Sequence, residues 1–333
     1  MSGTTRMASV AEASEVAAAR RVAQECAESM RLGTHATARA ALVTTELATN
    51  LVKHGGGGSI LFGTDDLQAM TIIALDKGRG IGNVGAAMQD GYSTAGSPGT
   101  GLGAIQRSTA MLDIYTHPDR GTAVLCRVAS EETAPFQARP PRTVIGSVCV
   151  PKRGEEENGD AWTAMIGHEV ATIAVVDGLG HGPAAALASS SIVRVIRERG
   201  QLELTELLED AHGAVRATRG AAVGLTRIFL ASGRLEFAGV GNIAGTISSD
   251  EGHRKVVSLP GIVGHEMRRV QSFSYPWTAN SVLVLQSDGI SSSWNLSAYP
   301  GLTDRDPMLI AAVLFRDYCR GTDDATVVVV KAQ

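Results

Sequence analysis

The 333 residues include 44% hydrophobic and 19% charged side chains and carry a formal net charge of -4. That balance excludes a disordered chain and gives no electrostatic reason to expect nucleic acid as a partner, since no basic stripe interrupts it. Cys26, Cys126, Cys149 and Cys319 form no CxxC pair, no apolar run approaches the roughly 18 residues that span a bilayer, and the polar N-terminus lacks an export signal, so the expectation is a reduced, cytoplasmic protein with no membrane contact.

Apolar residues at helical spacing predict helices over 10–31 and 36–54, followed by short strands over 59–62 and 69–75. A glycine-rich loop over 78–103 leads into a helix over 104–111, and a hairpin over 113–128 turns at Pro118-Asp119-Arg120-Gly121. The polar stretch 131–142 carries three prolines, which disfavour helix and remove backbone donors, so it reads as a linker between domains over 8–130 and 143–333. Beyond it, strands are expected over 143–150, 161–166 and 170–176, and helices over 183–198 and 204–218. Five further strands over 222–286, a helix over 307–317 and a last strand over 325–331 complete the pattern. Many antiparallel strands with paired helices imply an α+β chain of two layered domains.

Three features of the first half suit a nucleotide. Glu46 and Asn50, in TTELATNLVKHGGGG, share one helix face, and an amide oxygen beside a carboxylate suits Mg2+. Alone, such a pair is more often a solvated face. Asp76 ends an apolar strand in LDKGRGIG, with Gly78 and Gly80 behind it; its carboxylate can accept from an exocyclic amine such as adenine N6 while the glycines let the backbone approach a flat base. SPGTGLGAI then sets Gly99, Thr100, Gly101, Leu102 and Gly103 at a helix start, where bare amides favour phosphate. A lone GxGxG also serves ordinary turns.

Taken together and in this order, these stretches resemble the N, G1 and G2 boxes of the GHKL ATPases, over about residues 8–130. GTGLGAIQR, KHGGGGSI and DRGTAV narrow the resemblance to the bacterial switch and anti-sigma-factor kinases of the RsbT and RsbW type. The resemblance implies a Bergerat-type α/β sandwich binding ATP and Mg2+, with Asn50 on the metal and Asp76 reading adenine. It further implies Gly99 to Gly103 around the triphosphate, Thr122 supporting the adenine end and Glu46 as the base for an incoming serine hydroxyl. No segment ahead of this domain has the exposed His-Glu of a histidine kinase, and His54 reads as a partner of its helix C-terminus. Lys53 suits either phosphate or open solvent.

The second half puts aspartates where strands end: Asp160 in ENGDAW, Asp177 in IAVVDGLGHG, Asp288 in VLQSDGI, and Asp323 and Asp324 in GTDDATVVVV. A set of carboxylates without Cys or His spacing selects Mg2+ or Mn2+ over zinc, and two such ions can turn a bridging water into hydroxide. Any single Asp-Gly step is ordinarily a turn. In sequence, with GVGNI at 239–243, they resemble the SpoIIE, RsbU and RsbX branch of the PPM serine/threonine phosphatases, over 143–331. That implies an α-β-β-α layered fold and two Mn2+ or Mg2+ ions held by Asp177, the Gly178 carbonyl, Asp288 and Asp323. Asp160 would act through water or a weaker ion. Asp324 is expected behind the metal ligands, and His181 suits either a proton donor to the leaving alkoxide or a structural helix start. No arginine matches the phosphate-clamping position of larger relatives.

The resemblances imply a bifunctional regulator of a partner-switching or stressosome pathway. One domain would phosphorylate a serine or threonine of a STAS-domain protein and the other would remove the phosphate. A sigma factor or another phosphatase is a further candidate partner. The alternative is that the first domain binds ATP and a sigma factor or STAS protein, gating the fused phosphatase without transferring phosphate.

Overall fold

The computed structural model describes residues 3–65, 69–89, 101–130 and 143–332. Contacts divide the chain into two units. One takes the described residues of Thr5–Ala138 together with Ser297–Arg316; the other takes those of Met1–Thr4, Arg139–Leu296 and Asp317–Gln333. The sequence boundary at 131–142 put all of 143–333 together, whereas contacts cluster Ser297–Arg316 with the first half.

In the first unit a five-stranded sheet runs in the order β1-β2-β3-β5-β4, from Arg6–Val10 (β1), Gly58–Thr64 (β2), Met70–Leu75 (β3), Met111–His117 (β4) and Gly121–Val128 (β5). All its pairings are antiparallel. Helices Val16–Ser29 (α1), Thr34–Asn50 (α2) and Gly101–Ser108 (α4) bury one stripe each, and a short helix, Val84–Ala87 (α3), lies between β3 and α4. Strand side chains alternate, so Ile60, Phe62, Ile72, Val124 and Cys126 join Ala23, Val43 and Leu47 of the helices in one core. The opposite face is buried too: Leu61, Ile73 and Leu125 are at most 2% exposed. On that face Arg127 donates to Asp65 at 2.7 Å and to Asp306 at 2.8 Å, and Arg305 reaches Asp113 at 3.2 Å, so the segment Ser297–Arg316 is held by charged side chains.

Residues 10–15, expected within the first helix, instead hold the end of β1 and a 3-10 turn. RMASV is too short and too exposed to stand out by periodicity, and backbone pairing with β2 decides its state. After Asn50 the second helix widens into a π turn, Leu51–Gly55.

The other unit stacks two sheets. The first runs β13-β10-β9-β8-β7, with β14 also on β10: Asp160–Ile166 (β7), Val170–Gly178 (β8), Ala221–Phe229 (β9), Arg234–Val240 (β10), Ser258–Leu259 (β13) and Phe273–Pro276 (β14). The second runs β12-β11-β15-β16-β6: Thr143–Val150 (β6), Ala244–Ser249 (β11), Gly252–Lys255 (β12), Val282–Gln286 (β15) and Ala325–Ala332 (β16). Trp162, Ile173, Phe237, Leu283 and Val328 fill the space between sheets. Pro183–Arg199 (α5) and Leu204–Ala214 (α6) cover the outer face of the first sheet through Ile192, Ile196, Leu207 and Leu208 against Val176 and Leu225. Helix α7 (Pro307–Tyr318) starts in one contact unit and ends in the other.

Candidate functional site

The first site grows from the end of α2. Glu46 and Asn50, one turn apart, both flank Gly101 at the start of α4. A Cβ there would sit 3.5 Å from Glu46 Oε2 and 3.6 Å from Asn50 Oδ1. The glycine leaves this space clear at the helix start, where the first amides have no partner within the helix. Leu102 packs against the core and Gly103 is buried, which seats α4. Gly99 and Thr100 fall outside the described residues.

Asp76, just past β3, has a dense setting. Its Oδ1 accepts from the backbone N–H of Gly78 at 2.8 Å and of Thr122 at 3.1 Å, and its own N–H donates to the Thr122 carbonyl at 3.0 Å. Among the described residues nothing donates to Oδ2, which therefore has lone pairs for an amine. Burial raises the carboxyl above the usual range, against the pull of those two amides and the Arg316 charge. Gly78 and Gly80 differ in reason. A Cβ on Gly78 would lie 3.0 Å from the His54 carbonyl, while Gly80 needs its φ of +76°. The Thr122 and Thr116 hydroxyls are 3.3 Å apart, and Thr116 accepts the N–H of Ile81 at 2.8 Å. The π turn after Asn50 joins the two clusters, since a Cβ on its Gly55 would lie 2.7 Å from Asp76 Cβ. This widened turn is a local feature often found at functional sites, and nothing in the spacing KHGGGG shows it.

In the other unit, strand pairing gathers the aspartates. Asp160 opens β7 directly opposite Asp177 near the end of β8. Asp288 follows β15, and Asp323 and Asp324 precede its antiparallel neighbour β16, which places them at one end of the second sheet. Ser287 stitches the two sheets: its hydroxyl donates to Asp160 Oδ2 at 2.6 Å and accepts from the Thr326 N–H at 3.0 Å. The Asp-Gly steps follow from close packing. A Cβ on Gly178 would strike the Ala185 carbonyl, and one on Gly289 the Asp324 carbonyl.

Electrostatics mark this cluster most strongly. Burial, with Asp160, Asp288, Asp323 and Asp324 adding repulsion, pushes Asp177 up to about 8. Asp160 is pushed to about 7 by burial, against the Ser287 and Thr326 bonds, with Asp324 and Asp288 adding to the rise. Asp288 is raised by burial and Asp323, opposed by Arg320 and Asn242. Carboxylates that raise one another in this way repel until a cation relieves them, and oxygen donors suit Mg2+ or Mn2+. No group of three or more His, Cys, Asp or Glu side chains set to hold one ion occurs among the described residues. Hard ions that keep several waters and use one or two carboxylates fit such an open set.

Asp324 serves the backbone. Its two oxygens accept from Lys152 N–H at 2.8 Å and Gly159 N–H at 3.0 Å, fixing the loop that carries Asp160. His181 is exposed and its Nδ1 lies 2.7 Å from Glu155 Oε1, so Glu155 orients it. Sequence reasoning missed Asn242, whose amide donates to Asp288 Oδ2 at 2.8 Å, although it lies within the GVGNI stretch. It also missed Arg219, whose Nη1 is 2.8 Å from where a Cβ on Gly180 would stand. No local signal singles out that arginine.

The two units thus define a GHKL-type nucleotide-binding α/β domain and a PPM-type phosphatase domain in one α+β chain. Residues 9–128 match the model of the histidine kinase-like ATPase domain, and residues 168–333 that of stage II sporulation protein E (SpoIIE). The serine/threonine-protein kinase RsbT of Bacillus subtilis (strain 168) is 30% identical over 115 residues, 33% of this chain and 85% of that protein. The chain belongs to the histidine kinase-like ATPase family of that kinase through its first domain, fused to a SpoIIE-type PPM domain. A chain from the bacterial stressosome, described as a modular system adapted to control secondary messenger signalling, superposes with TM-score 0.54 at 27% identity, covering 57% of this chain and 99% of that one. The PP2C phosphatase domain with a regulatory fragment of SpoIIE from Bacillus subtilis superposes with TM-score 0.50 at 19% identity, covering 80% and 79%. That last likeness is one of fold. No described helix is long and apolar enough to cross a membrane.

Proposed function

We propose that the chain opposes two chemistries on one protein target: ATP-dependent phosphorylation of a serine or threonine by the first domain, and removal of that phosphate by the second. The observation that carries the reading is Asp177, half-buried directly opposite Asp160 and pressed by four further carboxylates, an arrangement that favours cation binding over burial for stability. Asp177, Asp288, Asp323 and the Gly178 carbonyl would hold two divalent ions, which when bound supply a water-derived nucleophile and charge neutralisation at the phosphoryl group. Asp160 orders the cluster through Ser287, Asp324 fixes the loop behind it, and the Glu155–His181 pair offers a proton for the leaving oxygen.

In the first domain Asp76 Oδ2 accepts from the adenine amine, the start of α4 faces the phosphates, and Asn50 would hold Mg2+. Glu46, beside Asn50 against Gly101, accepts the hydroxyl proton of the incoming serine. The resemblance to RsbT and the stressosome likeness support a STAS-domain substrate. Joining opposed modules raises their effective concentration on a shared target.

The test is a two-way assay on a STAS-domain protein. With ATP and Mg2+ the wild type is expected to add phosphate and Glu46→Gln to add none while still binding ATP. With Mn2+ and a phosphoserine STAS protein, the wild type is expected to release phosphate and Asp177→Asn to release none. Equal release by both would remove the assignment of the aspartate cluster. Equal transfer by Glu46→Gln would leave the first domain without its base.

A further inference from the structure

Arg219 stands just before β9, and the pairing of β8 with β9 fixes where it lies. The antiparallel register runs from Val170 opposite Phe229 to Gly178 opposite Ala221, and the Leu179 N–H continues it by donating to the Gly220 carbonyl at 3.0 Å. Arg219 therefore falls across from Gly180, in the loop that follows Asp177. A Cβ on Gly180 would lie 2.8 Å from Arg219 Nη1, so the guanidinium occupies space that a side chain in the Asp177 loop would take. The main chain on both sides of Arg219 is pinned. His265 Nε2 donates to the Thr218 carbonyl at 3.0 Å, the Gly220 N–H donates to the Thr218 hydroxyl at 3.1 Å, and Ala221 and Val263 exchange N–H to carbonyl bonds at 3.0 and 2.9 Å.

The side chain is exposed, and among the described residues it makes no hydrogen bond and no ion pair. The nearby carboxylates find their donors elsewhere: Asp160 in Ser287 at 2.6 Å, Asp288 in Asn242 at 2.8 Å, and Asp324 in the amides of Lys152 and Gly159. Glu155 is taken by His181 at 2.7 Å. All of these residues lie in one contact unit. A guanidinium that reaches over the loop after Asp177 yet pairs with none of these acids keeps its donors for an anion from outside. Its N–H groups form a planar fork that matches phosphate oxygens in charge-assisted bonds.

We propose that Arg219 is a substrate-binding residue of the aspartate site, where its guanidinium takes the phosphoryl oxygens of the phosphoprotein. The proposal rests on the reading of the second domain as a phosphatase. Because the backbone that carries Arg219 is already held at Thr218, Gly220 and Ala221, little order has to be created when the anion arrives, and more of the bond's strength reaches affinity. A contact made to the phosphoryl group before and during the reaction lowers KM and leaves kcat nearly unchanged.

The experiment uses the full chain, with p-nitrophenyl phosphate and Mn2+ for kinetics and inorganic phosphate with Mg2+ for calorimetric binding. Arg219→Gln is expected to raise KM by about tenfold or more and to weaken phosphate binding by a similar factor, with kcat within about threefold of wild type. The Mn2+ concentration for half-maximal activity is expected to stay unchanged. Arg219→Lys, which keeps the charge and loses the fork, is expected to fall between the two. If Arg219→Gln misfolds by circular dichroism, the Lys variant carries the test alone. Wild-type KM and phosphate affinity in the variant overturn the proposal and leave the phosphatase reading standing. So does a rise in KM matched by a rise in the Mn2+ requirement, since Arg219 would then shape the Asp177 loop and not meet phosphate. A wild type that neither hydrolyses p-nitrophenyl phosphate nor binds phosphate overturns the phosphatase reading and the role of Arg219 with it.

Discussion

Asn242 donates its side-chain amide to Oδ2 of Asp288 at 2.8 Å, tying the GVGNI stretch before β11 to the SDGI stretch after β15. A donor on one carboxylate oxygen fixes the rotamer and lowers the basicity that burial and Asp323 raise. Groups that orient metal ligands from behind commonly account for 10–100-fold in affinity or activity. Asn242→Ala is thus expected to raise the Mn2+ concentration for half-maximal p-nitrophenyl phosphate hydrolysis by roughly 10-fold or more, with partial recovery at high Mn2+. A variant with wild-type Mn2+ dependence would reduce Asn242 to a packing residue.

The raised carboxyls predict an inverse pH response in the metal-free protein. Asp177 titrates near 8 when folded and near the ordinary value of about 3.9 when unfolded. Between those values the fold holds a proton that the unfolded chain has released, so stability falls as pH rises. Asp160, folded at about 7, adds to the fall in the same direction. Divalent ions replace the protons, so their stabilising effect grows over the same range. Thermal unfolding in chelator is expected to show Tm decreasing from about pH 5 to pH 8, with the Mn2+-induced increment widening. An increment that stays constant across that range would mean that ions bind elsewhere.

Asp324 is expected to behave as a structural anchor. Its two oxygens take two backbone N–H groups, and the residue is 3% exposed. Asp324→Ala leaves buried donors unsatisfied at about 1–3 kcal/mol each, so a loss of that order in denaturant unfolding is expected, together with reduced phosphatase activity. Asp324→Asn retains one acceptor oxygen and removes a charge from a repelling cluster, and is expected to lose less. An Ala variant as stable as wild type would show that water replaces the carboxylate and the loop needs no anchor.

Part of the information for these sites is local in the sequence and part is not. Asp177, Asp288 and Asp323 were legible because strand ends and Asp-Gly steps are sequence features, and the antiparallel register then places Asp160 opposite Asp177. Glu46 and Asn50 were legible because helical spacing puts them on one face. Asn242, Ser287 and Arg316 were not, since each acts across the fold: Arg316 meets Asp76 only after α7 has packed, and no periodicity encodes that meeting. The strand Arg6–Val10 has no local signal, and Val10 falls within the expected helix 10–31, because the state of this segment is decided by β2 and not by its own residues. The same holds for Ser297–Arg316, whose clustering with the first half depends on contacts such as Arg127 with Asp306, far apart in sequence.

Gly121 offers the sharpest test of the nucleotide site. It holds φ at +86°, and a Cβ would meet the Asp76 carbonyl and lie 2.7 Å from Lys77 Cα. The left-handed backbone alone costs a non-glycine residue about 1–2 kcal/mol, which a domain of this size tolerates. The clash adds something more specific: it must displace Asp76, whose Oδ1 is bonded to the next residue, Thr122. Gly121→Ala is therefore expected to cost ATP affinity at least about tenfold while lowering stability by only a few kcal/mol. Calorimetric titration with a non-hydrolysable ATP analogue, beside a denaturant curve, separates the two effects. Loss of stability with wild-type ATP affinity would mean that displacing Asp76 does not bear on ATP, and the adenine assignment to Asp76 would fall.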